Sequence, residues 1–140
     1  MDTLTNQTLL ILQRFNQAFM QHDGSLLDGL IGEDCVMESV EPAPDGTRYV
    51  GREACLEFWQ KLANNRDGAF TPEDIAAIDD RGIILWRYRF GPGLSKSVRG
   101  VNVMRVRAGL ITEALGYVKS GEGAVATAVR SATGSGNERS

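Results

Sequence analysis

Apolar residues in the first half of the chain recur at helical spacing. Over residues 5–21 they lie three or four positions apart, which predicts an amphipathic helix that ends near Gly24. Ser25 is suited to cap a second, short helix that runs to Ile31, and a third helix is predicted after Gly51. The apolar positions are Leu9, Leu12, Phe15, Phe19 and Met20 in the first helix, and Cys55, Phe58, Trp59 and Leu62 in the third.

Other segments alternate between apolar and polar residues, which is typical of strands. A strand over 35–41 is followed by the turn formers of Pro42–Gly46 and by a short strand at Arg48–Val50. Helices and strands are segregated along the chain, which predicts an α+β fold with three helices on one face of a curled antiparallel sheet, enclosing a hydrophobic pocket. The second half forms a meander of four predicted strands at 72–78, 83–90, 95–106 and 110–119.

Composition narrows the class of protein. The 140 residues fit a single domain over 1–120 with a flexible tail over 121–140, and the net charge of −3 argues against nucleic acid and anionic membranes as partners. No apolar run could span a membrane and the first residues lack the layout of a signal peptide, so we expect a cytoplasmic protein. Two cysteines, Cys35 and Cys55, suit a protein with reduced thiols better than a disulfide scaffold. Together with a single histidine they are too few for the usual set of zinc ligands, so no metal site is expected. Gly121–Ala126 fits the glycine pattern of dinucleotide-binding proteins. The chain does not supply the βαβ unit that such a motif needs, so no cofactor is expected.

Several motifs, taken in order, resemble the nuclear transport factor 2-like superfamily, and within it the SnoaL-like and ketosteroid isomerase-like proteins. The resemblance covers about residues 8–119. It implies a cone-shaped sheet and dimerisation through the outer sheet face. It also implies a protein related to polyketide cyclases and isomerases. This fold hosts many functions, so the motifs say less about chemistry. They are His22-Asp23-Gly24, Ile31–Glu38, Gly51-Arg52-Glu53-Ala54, Asn102–Val106 and Gly109-Leu110-Ile111.

The resemblance also implies where the catalytic groups of a ketosteroid isomerase would lie. Such an enzyme uses a carboxylate base and an oxyanion hole formed by a tyrosine and a protonated aspartic acid. The matching positions hold Ser39, Phe15 and Asn102. A serine without a histidine partner is no base at neutral pH and Phe15 donates no proton, so classical steroid isomerisation is not expected. Asn102 still offers an amide N–H to a carbonyl or an enolate.

Strand alternation outlines a pocket once Asn102 is placed on the inner face of the sheet. The result is an apolar, aromatic chamber that suits a flat or cyclic hydrophobic ligand held by one or two hydrogen bonds. The same side chains are also what a hydrophobic core requires, so both interpretations stay open. The candidate ligand-binding residues are Phe15, Phe19, Met37, Ser39, Phe58, Trp59, Trp86, Tyr88, Met104 and Val118.

Two residues are candidates for catalysis. A buried amide needs a partner in the fold or in a ligand, and the sequence leaves both open for Asn102. Glu38 is the carboxylate nearest the pocket mouth, although alternation turns it outward unless a bulge re-aims it. His22 lies at a predicted helix C-terminus, where a structural role is the better interpretation.

The predicted outer sheet face combines arginines with apolar residues. Pairing with Glu113 and with carboxylates on a neighbouring strand or subunit explains the arginines better than RNA binding does, because the protein is acidic. The apolar residues would supply the contact of a homodimer. The arginines are Arg87, Arg89, Arg99, Arg105 and Arg107, and the apolar residues are Val101, Val103, Leu115 and Tyr117.

Two functions fit these residues. The first is a SnoaL-like protein that binds a small hydrophobic, carbonyl-bearing molecule and isomerises, cyclises or hydrates it without a cofactor. The second is a non-catalytic relative that serves as a ligand carrier or as a dimeric interaction module. Both functions predict the same fold, so the sequence does not separate them.

Overall fold

A computed structural model describes residues 2–119 of the chain. The predicted C-terminal tail and the Gly121–Ala126 motif lie outside the described residues. Within the described range the chain forms two α-helices, six strands and two short 3-10 helices, at Gly24–Leu27 and Pro92–Leu94. The longer elements are α1 (Thr3–Met20), β1 (Ile31–Glu38), β2 (Arg48–Val50), α2 (Arg52–Asn64), β3 (Ala69–Ile78), β4 (Arg81–Phe90), β5 (Lys96–Arg107) and β6 (Leu110–Lys119).

The six strands form one curled, unclosed sheet in the order β2-β1-β6-β5-β4-β3. The predicted antiparallel meander is confirmed for β3, β4, β5 and β6. The β1 strand joins this meander by pairing parallel to β6, and β2 pairs antiparallel with β1. The fold is therefore α+β, as predicted.

Where the sequence predicts a second α-helix from Ser25 to Ile31, the chain forms only a four-residue 3-10 helix. Its cap is Asp23, whose Oδ1 accepts from the backbone N–H of Ser25 at 3.0 Å. Asp28 already has extended backbone angles, which ends helical geometry, and Gly29 then adopts a φ of +83° before the chain enters β1 at Ile31. The prediction of three α-helices therefore needs correcting to two.

The helices cover one face of the sheet with their apolar sides. Asp2 caps α1 by accepting from the backbone N–H of Leu4 at 3.0 Å, and the buried side of α1 packs along β3 and β4. The buried side of α2 packs against β1. Among residues 2–119, no helix is long and apolar enough to cross a membrane. The buried helical residues include Ile11, Leu12, Phe15 and Phe19 from α1, and Cys55, Trp59 and Ala63 from α2.

Strand register determines which side chains share the inner face. Asn102 on β5 lies opposite Ile84 on β4 and Gly116 on β6. Directly opposed residues of an antiparallel pair point to the same side, and Ile84 is only 1% exposed beneath the helices. The placement of Asn102 on the inner face is thus in agreement with the alternation in the sequence.

Candidate functional site

Burial along the inner face separates a filled end from a partly open end. Met104 and Ile84 are each 1% exposed, and they belong to the hydrophobic core. Two residues further along β5, Asn102 is half-buried, and so are Val98 and Tyr88 beyond it. The candidate site is therefore the half-buried end, where the inner face still reaches solvent.

Asn102 and Trp86 form the polar centre of this end. The indole Nε1–H of Trp86 donates to Oδ1 of Asn102 at 3.2 Å. Since an indole nitrogen can only donate, it fixes which side of the amide carries the oxygen. The Nδ2 group then points away from Trp86, and it makes no hydrogen bond with residues 2–119. This arrangement leaves amide N–H donors free for an acceptor outside the fold.

Two glycines make room for this pair. A side chain at Gly100 would collide with the six-membered ring of Trp86, which lies across that glycine. A Cβ at Gly116 would lie 3.4 Å from Oδ1 of Asn102 and 3.2 Å from both the carbonyl oxygen of Glu38 and Cγ1 of Val40. Val40 and Asn102 therefore both border the space above this glycine.

All of the aromatic candidates except Phe58 belong to one continuous set of ring contacts. Phe15 contacts Trp59 and Phe19, with ring centroids 4.9 Å and 5.0 Å away. Trp86 and Tyr88 belong to the same set, and burial raises the pKa of Tyr88, with a further contribution from the charge of Asp67, so its phenol stays protonated at neutral pH. Phe58 lies apart from these rings, against Tyr49 at 4.8 Å.

Sequence reasoning missed the residue that joins these rings. The Phe70 ring lies 5.6 Å from Phe19, 5.3 Å from Trp86 and 4.4 Å from Tyr88. The predicted strand began at Pro72, so Phe70 fell outside it. The available signal was alternation, because Phe70 and Pro72 lie two positions apart on the strand that begins at Ala69.

The other apolar candidates differ in their access to solvent. Met37 is 3% exposed and belongs with Met104 to the hydrophobic core. Val118 is half-buried and lies opposite Gly100 on the neighbouring strand. The structure thus brings Val118, rather than the two methionines, to the partly open end.

Ser39 uses its hydroxyl group within the loop that follows β1. The hydroxyl donates to the carbonyl oxygen of Glu41 at 2.8 Å and accepts from the backbone N–H of Thr47 at 3.2 Å. The Ser39 hydroxyl is therefore engaged in closing the loop, and the structure gives it no hydrogen bond to Asn102.

Glu38 lies on the other side of the sheet from Met37. It is opposite Leu115 in register, whereas Met37 is opposite the buried Ala114. Its carboxylate forms an ion pair with Arg48 at 3.1 Å. The outward orientation that alternation predicts is therefore observed, and this placement gives no support to Glu38 as a base for a ligand on the inner face.

His22 and the cysteines occupy structural positions. Nε2 of His22 lies 2.8 Å from the carbonyl oxygen of Gly68, which ties the end of α1 to the loop before β3. Both thiols are free and buried, and the Cys55 thiol donates to the carbonyl oxygen of Cys35 at 3.5 Å. Burial raises the pKa of each thiol, so both stay protonated. Within residues 2–119, no group of three or more His, Cys, Asp and Glu side chains is placed to hold a metal ion.

On the outer face, carboxylates of the β3–β4 hairpin pair with the arginines. Glu73 accepts from Arg99 at 2.8 Å and from Arg87 at 3.3 Å. Arg99 is the main cause of the lowered pKa of Glu73. Asp80 lies 3.5 Å from Arg107 and 3.9 Å from Arg105. Pairing with neighbouring carboxylates is thus confirmed for Arg87, Arg99 and Arg107. Nε of Arg105 is buried and makes no hydrogen bond with the residues that the structure describes, and its nearest carboxylate is that of Asp80 rather than that of Glu113, which lies opposite it in register.

Comparisons with known proteins agree with the observed fold. Residues 12–114 match the family described as SnoaL-like domain, and no curated protein sequence matches the chain. A solved nuclear transport factor 2-like protein of unknown function from Mesorhizobium loti is similar at 45% identity and a TM-score of 0.80, over 86% of this chain and 97% of that chain.

Two more distant structures share the fold. A candidate ketosteroid isomerase from Kribbella flavida is 18% identical, with a TM-score of 0.71 over 84% of this chain and 81% of that chain. An LEH-like epoxide hydrolase from M. tuberculosis is 20% identical, with a TM-score of 0.66 over 82% of this chain and 80% of that chain. At these identities the likeness concerns the fold alone.

Proposed function

Since the chain belongs to the SnoaL-like family and has the nuclear transport factor 2-like fold, we propose that it binds a small hydrophobic molecule that carries a carbonyl group. The ligand lies at the half-buried end of the inner sheet face. Its carbonyl oxygen accepts a hydrogen bond from the side-chain amide of Asn102.

The hydrogen bond between Trp86 and Asn102 is the observation that carries this proposal. It orients the amide so that Oδ1 is used within the protein and Nδ2 is left to donate. A donor that has no partner in the fold gains most from a ligand that only accepts at that point. A carbonyl oxygen is such an acceptor.

The surroundings of the amide favour a ligand that is otherwise apolar. Val98, Val118 and Tyr88 are half-buried hydrophobic neighbours of the core at the same end of the sheet. A hydrogen bond in such surroundings is stronger than one in water, because the local dielectric is lower. An apolar body with one carbonyl group matches this combination.

Carbonyl polarisation is the chemical effect that Asn102 could have on such a ligand. A donated hydrogen bond draws electron density onto the oxygen and makes the neighbouring C–H groups more acidic. Proton abstraction would also need a base, but the hydroxyl of Ser39 is held in its loop and Glu38 is paired with Arg48. We therefore assign ligand binding and polarisation to Asn102, and we assign no base.

The test uses two probes that differ only in the carbonyl oxygen. In 2-isopropenylnaphthalene a CH₂ group replaces the oxygen of 2-acetylnaphthalene. The ratio of their dissociation constants should favour the ketone in the wild-type protein about two- to tenfold more than in Asn102→Leu, because one net hydrogen bond is lost. Equal ratios in the two proteins would overturn the proposal.

The ratio of the two dissociation constants, rather than one affinity, is compared because Asn102→Leu also removes the acceptor of the Trp86 indole. That change should lower the free energy of unfolding by about 1–3 kcal/mol, the usual cost of leaving a buried donor without a partner. Comparing two probes on one folded variant cancels any general loss of affinity. Native mass spectrometry of the purified wild-type protein complements this test, since a co-purified molecule would reveal the ligand class directly.

A further inference from the structure

The loop that follows β1 reaches back over the candidate site. Val40 is half-buried and packs against the hydrophobic core, and its Cγ1 lies 3.2 Å from the point where a Gly116 side chain would begin. Oδ1 of Asn102 lies 3.4 Å from the same point. Val40 is thus an apolar side chain of this loop that borders the same space as the amide.

This loop is held in shape by its own hydrogen bonds. The backbone N–H of Ser39 donates to the carbonyl oxygen of Thr47 at 2.9 Å. The hydroxyls of Ser39 and Thr47 both donate to the carbonyl oxygen of Glu41, at 2.8 Å and 3.0 Å. These bonds close the loop at its base and hold the backbone of Ser39, the residue before Val40.

We propose that Val40 limits the size of the ligand group that lies next to the carbonyl bound by Asn102. This inference rests on the proposed function and adds its substrate class: ketones and related carbonyl compounds with a small substituent on the carbonyl carbon. Bulk further from the carbonyl does not meet Val40. The reason is that Val40 and the amide both border the space above Gly116, so a branched group on the carbonyl carbon would meet the side chain of Val40.

The experiment combines a substitution that creates space beside the ligand with a ligand that carries a larger group at the same place. Val40→Ala removes two methyl carbons, and 2-isobutyrylnaphthalene carries two more methyl carbons than 2-acetylnaphthalene, on the carbon next to the carbonyl. The wild-type protein should prefer the acetyl probe by about tenfold, the usual effect of crowding a hydrophobic pocket. In Val40→Ala this preference should vanish or reverse.

Three variants separate the role of Val40 from a general effect. Val40→Thr keeps the branched shape and should keep the wild-type preference. Val98→Ala removes the same two methyl carbons elsewhere on the inner face, and it should weaken the binding of both probes equally. Gly116→Ala, added to Val40→Ala, places a methyl group at the shared point and should restore part of the preference. Thermal melts confirm that each variant is folded.

The outcomes distinguish the two proposals. An unchanged probe preference in Val40→Ala, with the ketone still bound more tightly than the alkene, would overturn the role of Val40 and leave the proposed function standing. If the wild-type protein binds no probe, or shows no preference for the ketone over the alkene, both proposals are overturned. Loss of preference in Val98→Ala to the same extent as in Val40→Ala would also contradict the role of Val40.

Discussion

The indole Nε1 of Trp86 and the amide Oδ1 of Asn102 lie 3.2 Å apart, and this hydrogen bond joins neighbouring strands diagonally. Trp86 is opposite Gly100 in register, two residues from Asn102, so its ring reaches across the glycine to the amide. The amide therefore has a structural side, its oxygen, and a free side, its nitrogen. The two alternatives that the sequence leaves open for Asn102 are not exclusive.

Replacing Trp86 tests whether the orientation of the Asn102 amide contributes to ligand binding. Trp86→Phe removes the indole donor, so the Asn102 amide is free to turn. The preference for 2-acetylnaphthalene over 2-isopropenylnaphthalene should fall at least part of the way to the Asn102→Leu value. The free energy of unfolding should fall by about 1–3 kcal/mol, since a buried ring is truncated and a hydrogen bond is lost.

Trp59→Phe is the matched control for this prediction. Trp59 is 3% exposed and contacts Phe15, and the structure gives it no hydrogen bond to Asn102. Its substitution should also cost stability but should leave the probe preference at the wild-type value. If both tryptophan variants lose the preference equally, the orienting role of Trp86 is wrong.

Adding a methyl group under the Trp86 ring should be costly. The Cβ of Gly100→Ala would collide with ring atoms of Trp86 and lie 2.5 Å from the carbonyl oxygen of Tyr117. We expect the free energy of unfolding to fall by about 1–3 kcal/mol, as for other overpacked cores. Gly116→Ala should cost less, since its nearest neighbours are at 3.2 Å. Urea unfolding of both variants measures these losses. A larger loss in Gly116→Ala than in Gly100→Ala would contradict the described packing of the Trp86 ring.

The alternation of apolar and polar residues along each strand predicted which side chains lie on the inner face of the sheet. Side chains of a strand alternate between two faces, so placing Asn102 inward also placed Trp86, Tyr88 and Met104 once the meander was assumed. The same rule turned Glu38 outward. These assignments need only the sequence period and the antiparallel neighbours.

Other features depend on contacts that local pattern does not contain. The parallel pairing of β1 with β6 joins segments that are far apart in sequence, and no period within either one reveals its partner. Phe70 was missed because the predicted strand began at Pro72, whereas β3 begins at Ala69 and Pro72 lies within this edge strand, beside a bulge. The hydrogen bonds of Ser39 depend on how its loop closes.

Acid should weaken the ion-pair cluster on the outer face. The Arg99 guanidinium is the main reason why the pKa of Glu73 is below its usual value. A lowered pKa in the folded state favours folding above the usual pKa, and this contribution is lost as the pH falls through the folded value. The wild-type protein should therefore lose more stability than Glu73→Gln between about pH 5 and about pH 3.

Glu57→Gln provides the comparison for this titration. Glu57 pairs with Lys61 at 3.6 Å on the exposed side of α2, where an ion pair contributes little. Urea melts across the pH range should give this variant the wild-type pH dependence. A Glu73→Gln curve parallel to the wild-type curve would contradict the role assigned to Arg99.

The outer face is also where we expect a second copy of the chain to bind. Leu85, Val101 and Tyr117 lie opposite one another in register, and Tyr117 is 55% exposed. An uncovered apolar row of this kind is typical of a subunit contact. Light scattering should give twice the mass of one chain, and Tyr117→Lys should give monomers. Leu10→Lys, at an exposed position of α1, should remain dimeric; a monomeric wild-type protein would refute the prediction.

The hydrogen bond to the ligand can be observed directly through the ligand carbonyl. Isotope-edited infrared spectroscopy of 2-acetylnaphthalene labelled with ¹³C at the carbonyl carbon reports the stretching frequency of that bond alone. A hydrogen bond from Asn102 weakens the C=O bond, so the frequency in the wild-type complex should be lower than in the Asn102→Leu complex. The same frequency in both complexes would contradict the binding of the carbonyl by Asn102.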